Sequence, residues 1–210
     1  MKKSTTQRSI AIAGTAAALT LAGTLIPGAA QAGPKVKFGS TLDATVQPSN
    51  SVPGLYCDPL NLAATCSFVM NEAYGRPDGG EKSPVTGTLK KVRVISGTAG
   101  SFQLQLVKAR QIAGEWQAKV KATGPEITVV GQGDANWDND SYRVEKFPVN
   151  MHIKKGWRLS MVSTKTSAVR CSSGGDNTLL YQPPLQSGSD YRNATGDDGC
   201  WPLIEGVVKQ

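Results

Sequence analysis

The chain has 210 residues, with 23 Lys and Arg against 16 Asp and Glu, a formal net charge of +7, and a hydrophobic fraction of 39%. That is enough apolar material for a packed core and excludes a disordered chain. A charge of this size is too small by itself to name nucleic acid as the partner.

Residues 1–32 read as a signal peptide. Lys2, Lys3 and Arg8 form a positive n-region, and Ile10 to Ile26 is apolar. Pro27-Gly28 breaks the run, and Ala30-Gln31-Ala32 is an A-x-A cleavage pattern before Gly33. The expected product is secreted and extracellular, and a retained N-terminal anchor is the alternative. No later stretch is apolar for long enough to cross a bilayer, so no membrane span is expected after cleavage. Cleavage would leave 210 − 32 = 178 residues, one domain by size, and a balance of 20 − 16 = +4. That small charge argues against nucleic acid. The sequence carries no signal of oligomeric state.

In chain order, residues 33–53 read as an extended arm in which Phe38 to Val46 could form a strand. Leu60 to Ala73 reads as a short turn or two, and Tyr74 to Pro84 as a polar, Gly-rich loop. Leu89 to Ile95 is a strand whose inward face is obscured by Lys90, Lys91 and Arg93. Phe102, Leu104 and Leu106 alternate with glutamines. Trp116, Ala118, Val120 and Ala122 alternate with polar residues, as in a half-buried strand. Ile127 to Val130 and Tyr142 to Val149 are further strands, and Met151 to Met161 reads as a hairpin turning at Lys154-Lys155-Gly156. Ser172 to Asn177 reads as a loop, with last strands over Thr178 to Gln182 and Trp201 to Val208. No apolar stripe of helical period persists over three turns. The expected fold is all-β, an antiparallel jelly-roll-like β-sandwich.

Four cysteines in an exported chain predict two disulfides. Cys57–Cys66 and Cys171–Cys200 are favoured, since each pair brackets a loop-rich stretch. Zinc is the competing reading, but no pair has C-x2-4-C spacing and His152 is far from all four.

Phe38-Gly39-Ser40, Asn71 to Arg76, Cys171 to Gly175 and Asp198 to Trp201 together resemble secreted β-sandwich proteins of high-GC Gram-positive bacteria. The resemblance implies export and a β fold. That group has no established activity to carry over.

The sharpest local pattern runs from Asp134 to Glu145. Asp134, Asn136, Asp138, Asp140 and Glu145 fall at positions 1, 3, 5, 7 and 12, the ligand spacing of a calcium loop. Asn139 stands where that loop requires Gly, and neither flank reads as a helix. An acidic turn between strands is the other reading. Calcium is thus the one cofactor candidate, and otherwise none is expected.

Trp137 lies in the same stretch among polar neighbours and is a candidate stacking platform for a sugar ring. Folding back as a lid on the sandwich is the alternative. Tyr74 and Arg76, in a polar loop, are the companion ligand candidates. Trp116, Trp157 and Trp201 are expected in the core. Lys90, Lys91, Arg93, Lys119, Lys121, Lys154, Lys155 and Arg158 recur on strands. Should several share one sheet face, they suit an anionic polymer; a solvated sheet surface is the other account.

Enzyme signatures are thin. His152 is the only histidine, and there is no nucleophile elbow, no H-E-x-x-H and no phosphate-binding glycine loop. The expected function is non-catalytic: a binding or structural component at the cell surface or beyond it, its ligand a polysaccharide or cell-wall polymer. The alternative is a polysaccharide-active hydrolase or lyase using a carboxylate pair. A secreted protease inhibitor, with Cys57 to Cys66 as its loop, ranks third.

Overall fold

The computed structural model describes residues 33–42, 51–52, 57, 64–97, 99–132, 143–163 and 168–210. The expected signal peptide falls outside them. Among the described residues there are twelve strands: β1 (Lys35–Gly39), β2 (Ser51–Val52), β3 (Cys66–Met70), β4 (Gly87–Ile95), β5 (Gly100–Ile112), β6 (Glu115–Val129), β7 (Val144–Ile153), β8 (Arg158–Ser163), β9 (Cys171–Tyr181), β10 (Arg192–Asn193), β11 (Gly196–Pro202) and β12 (Ile204–Lys209). They form two antiparallel sheets. One has the order β1-β12-β4-β7, and the other β10-β6-β5-β8-β3-β9-β11 with β2 on β9.

The chain is a jelly roll with an insertion. Counting only β1, β3, β4, β5, β6, β7, β8 and β12, one sheet reads first, eighth, third, sixth. The other reads second, seventh, fourth, fifth. That is the double Greek-key order of a jelly roll. The strands β9, β10 and β11, inserted between the seventh and eighth, widen the second sheet. Of residues 33–53, read as partly an extended arm with a possible strand over Phe38 to Val46, Lys35–Gly39 form β1, paired with β12, and Ser51–Val52 form β2, paired with β9, while residues 43–50 and 53 lie outside the described residues.

Burial follows from the alternation. Phe38, Leu89, Val92 and Val94 of the smaller sheet meet Phe68, Phe102, Leu104 and Leu159 of the larger across the main core. A second core lies on the other face of the larger sheet, where Val69, Val107, Ala118 and Leu179 pack with Tyr181 and Leu185. The middle of the larger sheet is therefore dry on both sides, and every residue of β3 is buried. This explains why β3 was unreadable as a strand: Cys66 to Met70 shows no alternation because neither face is wet.

Several sequence expectations are corrected. Met151 to Met161 is not a hairpin: β7 pairs with β4 in one sheet while β8 pairs with β3 and β5 in the other. The turn at Lys154 to Gly156 is an arch between layers. Trp201 to Val208 is likewise split, β11 lying in one sheet and β12 in the other. Ser172 to Asn177 is part of β9 rather than a loop. Ile127 to Val129 continues β6 through Gly124-Pro125. In β4 the bulge between Leu89 and Lys91 settles the inward face, with Leu89, Val92 and Val94 in and Lys90 and Lys91 out.

Both expected disulfides are present, Cys57–Cys66 with Cα atoms 5.5 Å apart and Cys171–Cys200 at 5.4 Å. The hairpin β5–β6 turns on Ala113 and Gly114, both at positive φ (51° and 88°), a mirror-image turn whose twist suits paired strands.

Candidate functional site

The loop 71–83, between β3 and β4, builds the site. It leaves β3 at Met70, passes the end of β1 and returns beside β8. Backbone bonds hold this course: Gly39 N–H donates to Gly80 O (2.8 Å), Thr41 N–H to Tyr74 O (2.8 Å) and Ser83 N–H to Trp157 O (2.8 Å). Arg76 anchors its middle. Its Nε donates to Gly39 O and its Nη2 to Glu205 Oε2 at 2.8 Å. Arg93 also donates to Glu205, and Lys37 Nζ lies 3.7 Å from it, so three cations enclose one carboxylate that is 0% exposed.

The loop then delivers Glu81 to the start of β8. Glu81 is buried, with Lys82 Nζ at 3.0 Å and Arg158 Nη2 at 3.3 Å from its Oε1. Arg158 is only 2% exposed. Its Nη1 donates to Asn71 Oδ1 (2.7 Å) and to the carbonyls of Met70 and Asn71 (3.2 Å each), tying down the first turn of the loop. Its Cζ lies 4.9 Å from the centroid of the Trp116 ring, a cation–π stack. Burial pushes the guanidinium pKa down, with Glu81 and then Tyr181 opposing. Burial pushes the Tyr181 phenol up, with Arg158 opposing. Arg158 Nε and the Tyr181 hydroxyl are both buried without a hydrogen-bond partner.

A cavity of about 400 Å³ opens between this loop and the starts of β6 and β8. Tyr74, Trp116 and Trp201 give it aromatic walls, while Glu81, Lys82 and Arg158 make one side polar. The Tyr74 and Trp201 rings lie 5.5 Å apart, tilted by 53°. Flat rings beside charged donors and acceptors suit a ligand with apolar faces and a hydroxyl rim, within the size range of small-molecule pockets.

Tyr74 and Arg76 therefore meet on this cavity, although Arg76 spends its guanidinium on Gly39 and Glu205. Trp157 is in the core as expected. Trp116 packs against the second core, half-buried, and also lines the cavity; Trp201 is corrected, since it is half-buried and lines the cavity without joining a core, each sitting where its strand meets a loop. Arg158, read as one of several solvated strand cations, is buried. Its only signal in the sequence is its place between Trp157 and Leu159, as the one charged residue of its strand.

Trp137, Asp134, Asn136, Asp138 and Asp140 lie outside the described residues. Glu145, the last member of the proposed calcium pattern, opens β7 and is buried. Its carboxylate accepts from Ser96 Oγ and from Val130 N–H (3.0 Å). Among the described residues no group of three or more His, Cys, Asp or Glu is placed to hold a metal ion. No family model, curated protein or solved structure matches the chain.

Proposed function

We propose that the protein is a secreted, non-catalytic binding domain whose cavity holds a short stretch of polysaccharide or cell-wall glycan. The observation that carries this reading is the cavity of Tyr74, Trp116 and Trp201 around the buried Glu81–Arg158 pair. The rings stack on the C–H faces of a sugar, and the edge of the ion pair bonds its hydroxyls. Jelly rolls carry lectin sites, an analogy of fold alone. Two disulfides suit an extracellular setting. Binding is preferred to hydrolysis because Glu81 Oε1 is already shared by Lys82 and Arg158.

Calorimetric titration against soluble glycan fragments, with pull-down on purified wall, tests it. Trp116→Ala and Trp201→Ala are each expected to weaken binding about 10-fold, the loss of one stacked ring. Absence of heat and retention with every glycan would overturn the ligand assignment. Release of reducing ends by the wild-type protein, abolished in Glu81→Gln, would favour the hydrolase instead.

A further inference from the structure

The exposed face of the smaller sheet carries the charge of the molecule. In β1, Lys35 and Lys37 are exposed while Phe38 faces the core, and the register carries that orientation across the sheet. One row is Lys35, Lys209, Thr88 and His152; the next is Lys37, Val207, Lys91 and Pro148; the third is Gly39, Glu205, Arg93 and Lys146. The bulge adds Lys90, whose Nζ donates to Asn150 Oδ1 at 2.6 Å. From loop 71–83, Arg76 adds an eighth cation. The only carboxylate in these rows is Glu205, which is buried beneath three of the cations. The face therefore holds 8 − 1 = +7, while the rest of residues 33–210 holds 12 cations and 15 carboxylates, 12 − 15 = −3.

This is more than a solvated surface. Lys35 is directly opposite Lys209, and Arg93 directly opposite Lys146. Like charges in such positions destabilise a sheet, and acids placed between them would relieve the strain. Guard lysines belong on edges, yet Lys209, Lys90, Lys91 and Arg93 lie on the central strands β12 and β4. Strands about 4.8 Å apart, with alternate residues about 6.8 Å along each, bring neighbouring charges within a Debye length of about 8 Å, so their potentials add.

We propose that this face binds a linear anionic glycopolymer, a flexible chain of hydroxylated units bearing a phosphodiester or carboxylate at each repeat. Charge complementarity selects a polyanion. The rows contain no Trp, Tyr or Phe, and their one aromatic ring, His152, meets Trp157 edge to face at 6.5 Å, so the face lacks the run of stacking platforms on which single-stranded nucleic acid is bound. Apart from Arg76, which borders both, the surface is distinct from the aromatic cavity and binds whether or not the cavity holds a glycan.

The test uses the disulfide-bonded protein with poly(glycerol phosphate) and polygalacturonate, which separate the phosphodiester from the carboxylate source. Dextran, duplex DNA and pure phosphatidylglycerol vesicles serve as comparisons. Lys35→Gln, Lys91→Gln and Lys146→Gln together should weaken polyanion binding about 100-fold, roughly fivefold per cation. The magnitude of its log–log salt slope should fall by about 2, at ~0.7 per charge. Lys108→Gln, Lys119→Gln and Lys121→Gln remove the same charge from the larger sheet and should cost no more than about threefold. Circular dichroism confirms that both triples fold. Equal losses in the two triples would overturn the proposal. So would failure to bind either polyanion, or binding of DNA or vesicles as tight as that of the glycopolymers.

Discussion

Two buried carboxylates are held by the same loop in opposite senses. At Glu205 the acid belongs to strand β12, and the loop supplies the cation, Arg76. At Glu81 the loop supplies the acid, and strand β8 supplies the cation, Arg158. Glu205 is enclosed by three cations and does not itself line the cavity, although Arg76 does. Glu81 and Arg158 form one wall of a cavity, with Trp116 stacked on the guanidinium. The first pair works as an anchor; the second leaves polar edge for a ligand. The difference lies in what surrounds each pair rather than in the pair itself.

Removing the anchor should have the largest effect. Glu205→Gln leaves Arg76, Arg93 and Lys37 facing one another, and is expected to cost about 3–4 kcal/mol in urea unfolding, slightly discounted because the cations are partly exposed. Glu81→Gln should cost less, about 1.5–3 kcal/mol, because Arg158 keeps its bonds to Asn71 and the two carbonyls. Equal costs would erase the distinction between anchor and wall. Arg76→Gln should cost about 1 kcal/mol, the net worth of its lost bonds. Its signature is local: the Gly39 amide, bonded to Gly80 O, should lose hydrogen-exchange protection while the β3 amides keep theirs.

The smallest effect has the opposite sign. Tyr181→Phe removes a buried hydroxyl that lacks a partner, and should be neutral or stabilising by up to about 1 kcal/mol at neutral pH. It should also change the alkaline limb. Burial raises the Tyr181 phenol above its ordinary 10.0, so the folded protein keeps a proton that the unfolded chain releases. The stability from this group is full below about pH 10 and falls as pH rises beyond it. In Tyr181→Phe that part of the fall should vanish; an unchanged limb in thermal unfolding would place the titration elsewhere.

Strands with one wet face were legible in the sequence. Trp116 to Ala122 alternates because water touches one side of it, while Phe102 to Leu106 alternates in residue type although Gln105 is buried and spends its amide on Ser67 and Leu185. The disulfide pairs were legible from the stretches they bracket. Cys66 to Met70 was hidden by burial on both faces, and Met151 to Met161 was misread because a tight turn marks a reversal without saying which sheet receives the next strand. At the site, Tyr74 and Arg76 stood out as polar-loop residues. Trp116, Trp201, Glu81 and Arg158 did not, since their meeting depends on contacts between residues distant in the chain.

The dryness of β3 has a further consequence for how it finds its place. In a half-wet strand, slipping by one residue sends apolar side chains into water, and that error enforces alignment. A strand dry on both faces has no such proofreading from solvent. Here polar atoms take over the indexing. Ser67 Oγ donates to Gln105 Oε1 on β5 (3.2 Å) and accepts from Leu185 N–H (2.9 Å), while Gln105 Nε2 donates to Leu185 O (3.1 Å). A shift of β3 by one residue would break the two bonds through Ser67 inside a dry core, so a single serine serves as the key that admits one alignment.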